Sequence, residues 1–159
     1  MHKISRRKFV TRSVGAGALV GVCVCGLSSC ATFNKIGDTP PLPANAYAIK
    51  PPGTVTVVLN KAMPLAVAGG AAKIIDPALR DPLIIARVAG DNYVVAALRC
   101  PHRGVELEYQ PDNQRFRCAS LGHSKFALDG HKLSGPASRG IKVYPASVAD
   151  GILTIKLEA

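Results

Sequence analysis

The chain has 159 residues, enough for one domain plus a processed or anchoring end. Hydrophobic residues make up 48% and can supply a core, but aromatics are only 5% and Trp is absent, so a stacking platform for bases or sugars has little to build on. The formal charge of +10 is uneven: Lys3, Arg6, Arg7, Lys8 and Arg12 precede residue 30 with no acid among them, leaving 15 basic and 10 acidic groups over residues 30–159 and no basic run of the nucleic-acid-binding kind.

Ser5-Arg6-Arg7-Lys8-Phe9-Val10 opens the chain, and an uncharged stretch of small and apolar residues runs from Ser13 to Ser29. A basic end, a short apolar middle and a small-residue exit make an export signal. The paired arginines, with a large apolar residue two positions on, resemble a twin-arginine signal, a route for proteins that fold before export. Leu27-Ser28-Ser29-Cys30 resembles a bacterial lipobox, with Cys30 as the lipidated residue; each buried CH₂ of an acyl chain contributes about 0.8 kcal/mol. An uncleaved membrane helix is the alternative, although 17 residues sit at the bottom of the spanning range of about 17–25. The expected product is a lipoprotein on the periplasmic side of a bacterial membrane, with residues 1–29 as its signal. Cys23 and Cys25 leave with that signal, so Cys100 and Cys118 remain as the thiols of the mature chain.

Residues 30–53 read as a tether, because Asp38-Thr39-Pro40-Pro41-Leu42-Pro43 and Lys50-Pro51-Pro52-Gly53 are hostile to helix and ladder alike. Short β-branched runs follow from residue 54 to the end. Val55–Leu59 and Met63–Val67 read as strands, the latter closed by a turn at Gly69-Gly70, while Ala71–Arg80 reads as a loop or one helical turn. Leu83–Val88 and Tyr93–Leu98 flank Ala89-Gly90-Asp91-Asn92, a hairpin signal. Ile141–Tyr144 and Ile152–Leu157 alternate, with Leu153, Ile155 and Leu157 on one face. The pattern predicts an all-β domain, a small antiparallel sandwich or barrel.

Two Cys-His boxes interrupt these strands. Cys100-Pro101-His102 follows the strand ending at Leu98, and Cys118-Ala119-Ser120-Leu121-Gly122-His123 follows the short strand Gln114–Arg117, with a turn at Gln110-Pro111-Asp112-Asn113 between them. A Cys and a His two residues apart, stiffened by Pro101, do not comfortably grip one ion but suit two adjacent metals. A mononuclear Cys₂His₂ zinc site and a Cys100–Cys118 disulfide are the competing uses, and zinc favours Cys pairs two to four residues apart.

The stretch Cys100-Pro101-His102-Arg103-Gly104, then Cys118 and His123, then Phe126-Ala127-Leu128-Asp129-Gly130 and Ser134-Gly135-Pro136-Ala137, resembles a Rieske 2Fe–2S protein over roughly residues 54–157. The resemblance implies a Rieske-like β fold with a two-loop cluster-binding part at about 99–137, and one 2Fe–2S cluster per chain. It implies that Cys100 and Cys118 bind the inner iron and His102 and His123 the outer one, with the Gly135-Pro136 loop as a cover. Potentials of such centres span about −150 to +300 mV. This chain departs from the family in three places. Four residues separate Cys118 from His123 where two are usual, the extra disulfide-forming cysteines of high-potential members are missing, and Phe126 stands where those members place a Tyr. Ser120 and Ser124 are the candidate hydroxyl donors to sulfur in its stead, and His131 is the candidate substitute for His123.

The expected function is one-electron transfer in a periplasmic respiratory or oxidoreductase chain, at a low to intermediate potential. The expected partner is a c-type cytochrome, a quinol enzyme or the large subunit of an oxidase, with membrane contact through the lipid and no nucleic acid. Two alternatives stay open: the small subunit of a periplasmic molybdenum oxidase, and a binding module on the same fold without a cluster. No Ser/His/Asp set, carboxylate pair or phosphate loop is present, so independent catalysis has no visible residues to carry it.

Overall fold

The computed structural model describes residues 38–157; the paired arginines, the lipobox and Cys30 lie outside them. Among the described residues twelve strands form three antiparallel four-stranded sheets, and helix occurs only as short 3₁₀ turns. The first sheet has the order β1 (Tyr47–Lys50), β2 (Thr54–Val58), β12 (Ile152–Lys156), β11 (Ala146–Ala149). The second runs β10 (Val143–Tyr144), β5 (Asn92–Ala97), β4 (Leu83–Ala89), β3 (Ala71–Ile74). The third, which carries the Cys-His boxes, runs β6 (Leu107–Gln110), β7 (Arg115–Cys118), β8 (Lys125–Ala127), β9 (Lys132–Ser134).

Strand β4 explains how three sheets share one molecule. Its run Leu83-Ile84-Ile85-Ala86 is buried throughout, because Leu83 and Ile85 face a core shared with Val55, Val57, Leu153 and Ile155, whereas Ile84 and Ala86 face a second core. That second core joins Leu98, Leu107, Phe116 and Phe126 to Cys100 and Cys118. A continuous apolar run is what a strand covered on both faces requires. The alternating β12, by contrast, has Leu153 and Ile155 fully buried and Ile152 40% exposed.

Three expectations are corrected. Met63–Val67 is not a strand: Met63–Leu65 is a 3₁₀ turn, with Met63 73% and Val67 68% exposed and only Leu65 buried. Pro64 has no N–H to give a ladder, and this decides the matter. Ala71–Arg80 is not all loop, since Ala71–Ile74 pairs with β4 from Ala71↔Ala86 to Ile74↔Leu83. Lys73 disguised that strand by placing a charge in its buried stretch. The tether is shorter than expected, because the chain joins the folded body well before residue 54. Lys73 N–H donates to Pro40 O at 2.9 Å, Leu42 N–H donates to Lys73 O at 2.8 Å, and β1 pairs with β2 from Tyr47↔Val57 to Lys50↔Thr54. Prolines are tolerated there because these segments lie at sheet edges, where one row of N–H groups faces away from any ladder.

Candidate metal centre

Both boxes are held by backbone hydrogen bonds between two adjoining hairpins. In the first, Cys100 N–H donates to Val105 O at 2.9 Å and Gly104 N–H to Cys100 O at 2.8 Å, while Leu107 N–H returns to Leu98 O at 2.9 Å. In the second, Cys118 N–H donates to Ser124 O at 2.8 Å and His123 N–H to Ser120 O at 3.0 Å. The loops are stitched together by Ala119 N–H donating to Glu106 O at 3.0 Å, and Leu107 lies opposite Cys118 in the β6–β7 register. Residues 18 apart in sequence thereby become neighbours, and both thiols are free and about 99% buried.

The third segment, Ser134–Ala137, closes over the second loop. Gly135 has φ +92°, and a Cβ there would stand 2.5 Å from Ser124 Cα, so only glycine fits. A Cβ on Gly122 would meet Pro136 Cγ at 2.8 Å. Ala137 N–H donates to Ser124 Oγ at 3.0 Å, which leaves the Ser124 hydroxyl proton for another acceptor. Burial pushes the Cys100 thiol up, and the adjacent Cys118 adds to the rise, while the His102 backbone N–H and the Ser124 hydroxyl pull it down. Cys118 Sγ lies 3.2 Å from Ser120 Oγ. The two serines weighed in the sequence as hydroxyl partners therefore each lie beside one sulfur.

The histidines differ. His102 Nδ1 is buried with no hydrogen-bond partner, a costly state for a polar atom. His123, in the left-handed region at φ +44°, has Arg117 Nη2 2.8 Å from its Nδ1 and 2.9 Å from its Nε2, with Cys118 O 3.4 Å from Nδ1. A ring lone pair that accepts from Arg117 is the one a metal would take, so metal binding at His123 displaces that contact. His131 lies in an exposed turn 2.9 Å from Asp129, whose carboxyl is held below its ordinary range mainly by the His131 backbone N–H. Among the described residues no three His, Cys, Asp or Glu side chains are grouped to hold one ion. The sequence did not mark Arg117 as part of the site; its place next to Cys118 on β7, facing the long box, was the available signal.

The Rieske [2Fe-2S] domain family matches residues 59–145, more than half of the chain. The chain belongs to that family. Its all-β fold and its 2Fe–2S cofactor follow. This Rieske domain is similar in structure to the ferredoxin of carbazole 1,9a-dioxygenase from Nocardioides aromaticivorans IC177, at 14% identity and TM-score 0.53 over 65% of this chain and 95% of the ferredoxin. It is also similar to a chain of the complex of reduced oxygenase and oxidized ferredoxin in carbazole 1,9a-dioxygenase, at 22% identity and TM-score 0.50, covering 57% and 83% of the two chains. The plasma membrane Rieske protein PetC3 from Synechocystis PCC 6803 matches at 24% identity and TM-score 0.46, covering 54% and 85%. No curated protein matches the chain in sequence. The two carbazole 1,9a-dioxygenase likenesses establish the fold, and the family establishes electron transfer in general terms. No helix among the described residues is long and apolar enough to cross a membrane.

The donors fit the cofactor chemically. Two buried sulfurs share the second core, and in the first box the buried His102 Nδ1 has no hydrogen-bond partner of its own. Thiolates and imidazoles on separate irons are what distinguishes this type of cluster from an all-cysteine one.

Proposed function

We propose that this Rieske domain is a one-electron carrier on the periplasmic side of a bacterial membrane, held there by acyl chains on Cys30. Cys100 and Cys118 would hold the inner iron, and His102 and His123 the outer one. When bound, the cluster supplies a reversible one-electron redox couple. The orphaned Nδ1 of His102, in the same box as the buried thiol of Cys100, carries the reading.

The chain's own residues do the rest. The box backbones fix both sulfurs, and the Ser124 hydroxyl serves the Cys100 sulfur. Ser120, which accepts from the Cys118 thiol, would donate to it once it is an iron-bound thiolate, and the Gly135-Pro136 segment limits water over the second loop. His123 comes into play when its ring leaves Arg117. The export-signal pattern before Cys30 supports placement outside the cytoplasm, with a c-type cytochrome, a quinol enzyme or an oxidase large subunit as partner class. With Phe126 in place of a tyrosine, fewer donors reach sulfur, and the potential should lie at the low to intermediate part of the family range.

Reduced-state EPR with a redox titration tests the site on the wild type, His102→Ala and His123→Ala. We expect an axially shifted signal near g 1.9, a family trait, in the wild type. Loss of that signal is expected in His102→Ala, and its loss or displacement in His123→Ala. A His123→Ala spectrum identical to the wild type would remove His123 from the ligand set, and an iron-free, colourless wild type would remove the cluster.

A further inference from the structure

Beside the first box lies an open groove of about 460 Å³ whose walls carry four cations, Arg80, Arg99, Arg139 and Lys142, against one acid, Asp81. Its lining includes Cys100 and Pro101. Two of the cations are held in place. Arg99 Nη1 donates to Gly104 O at 3.2 Å, within the first box loop, and Lys142 Nζ sits 5.0 Å above the Tyr144 ring and 3.4 Å from Leu157 O. Arg80 and Arg139 are exposed on the segments leading into β4 and β10.

We propose that this groove docks the acidic face of the protein with which the domain exchanges electrons. The inference rests on the electron-transfer reading and adds the chemistry of the partner. The four cations come from three separate segments and keep much of their side chains in water, that of Arg99 being 49% exposed. Such spacing matches several carboxylates spread over a protein surface better than one small oxyanion, which needs converging donors. Residues 1–37 of the chain carry six bases and no acid, so their charge does not complement the groove. Charge complementarity of this kind raises association rates and makes them salt-sensitive. A partner seated here lies against the loop that carries Cys100, so docking and electron exchange share one edge of the domain.

The test uses the full-length, cluster-loaded protein, Arg80→Glu/Arg139→Glu, and the distant surface control Lys61→Glu. Dye-labelled decaglutamate is the binding probe, read by fluorescence anisotropy. The expected result is salt-sensitive binding, weakened about tenfold or more by the double variant and little changed by Lys61→Glu. In a second arm the reduced protein gives one electron, with no bond made or broken, either to hexacyanoferrate(III) or to the trication tris(phenanthroline)cobalt(III). The double variant should slow the anionic oxidant about tenfold and leave the cationic one as fast or faster. An effect of Lys61→Glu about half that of the double variant on a logarithmic scale, in proportion to their charge changes of two and four, would reduce the groove to net charge and overturn the proposal. Full displacement of decaglutamate by stoichiometric inorganic phosphate would overturn it too, in favour of a small-anion pocket. Failure of the electron-transfer reading looks different: the visible and EPR spectra would lack a cluster, while the anisotropy arm still decides docking.

Discussion

Ser124 shows how much one side chain can settle in this domain. It is fully buried, its Oγ accepts Ala137 N–H, and its hydroxyl helps hold the Cys100 thiol down against the rise that burial causes. A hydroxyl proton on a thiolate stabilises the extra negative charge of the reduced cluster. Ser124→Ala should therefore lower the midpoint potential, and Ser120→Ala, at a half-buried position, should lower it less. Protein-film voltammetry on both variants measures this; an unchanged or raised potential in Ser124→Ala would remove the serine from the tuning of the site. Phe126 is a different case. It is fully buried against the second core, so Phe126→Ala should cost about 3–5 kcal/mol in urea unfolding through the cavity it leaves. A loss under about 1 kcal/mol would mean that the site collapses onto the gap.

Between elements, a buried ion pair joins β3 to the hairpin that carries the first box. Lys73 Nζ lies 2.8 Å from Glu106 Oε2, both side chains less than a tenth exposed, and Arg99 stands 3.9 Å from the other Glu106 oxygen. Glu106 also lends its carbonyl to Ala119 N–H, so one residue links the second sheet to both boxes. Removing one partner from a buried pair strands the other charge. Lys73→Met should cost about 3 kcal/mol, the low end for such breakage because Arg99 remains close. Lys73→Met/Glu106→Leu should recover part of that loss, since an apolar pair leaves no charge unpaired. A double variant less stable than Lys73→Met would show that the polar contacts of Glu106 matter more than its charge.

For the whole molecule, the four tyrosines, Tyr47, Tyr93, Tyr109 and Tyr144, all have hydroxyls pushed above their ordinary range, chiefly by burial. Tyr47 adds a hydrogen bond to Asp76 at 3.0 Å, fastening β1 to the segment after β3. A raised pKa means that the folded state keeps its proton longer than the unfolded chain. Their contribution to stability is thus complete below the unfolded value of about 10 and is lost as pH rises through the folded values. Absorbance at 295 nm should titrate above pH 10 in the folded protein, with loss of structure following ionisation; a midpoint at or below that of free tyrosine would contradict the burial argument. At the same scale, Cys30→Ala should move the mature protein from the membrane fraction to the soluble one, as fractionation and immunoblotting would register. Retention in the membrane would make the apolar stretch Ser13–Ser29 the anchor instead.

The sequence by itself determined the cofactor family, because two Cys-His boxes with the flanking Asp129-Gly130 and Gly135-Pro136-Ala137 can be read without a third dimension. It also determined the hairpin around Gly90 and the face of β12, since alternation over a half-exposed strand is a local property. It misread Met63–Val67, where one proline overrode an apolar run, and it missed β3, where a buried lysine looked like a loop residue until Glu106, 33 positions away, supplied the opposite charge. It set the start of the folded body too late, because only an edge position makes a proline-rich strand affordable. Tertiary structure alone decided that β4 is covered on both faces, that Ser124 meets Cys100, that Arg117 competes for His123, and that cations from three segments share one groove. Each of these depends on which distant side chain arrives to satisfy a charge, a lone pair or an apolar surface, and spacing along the chain carries no record of that.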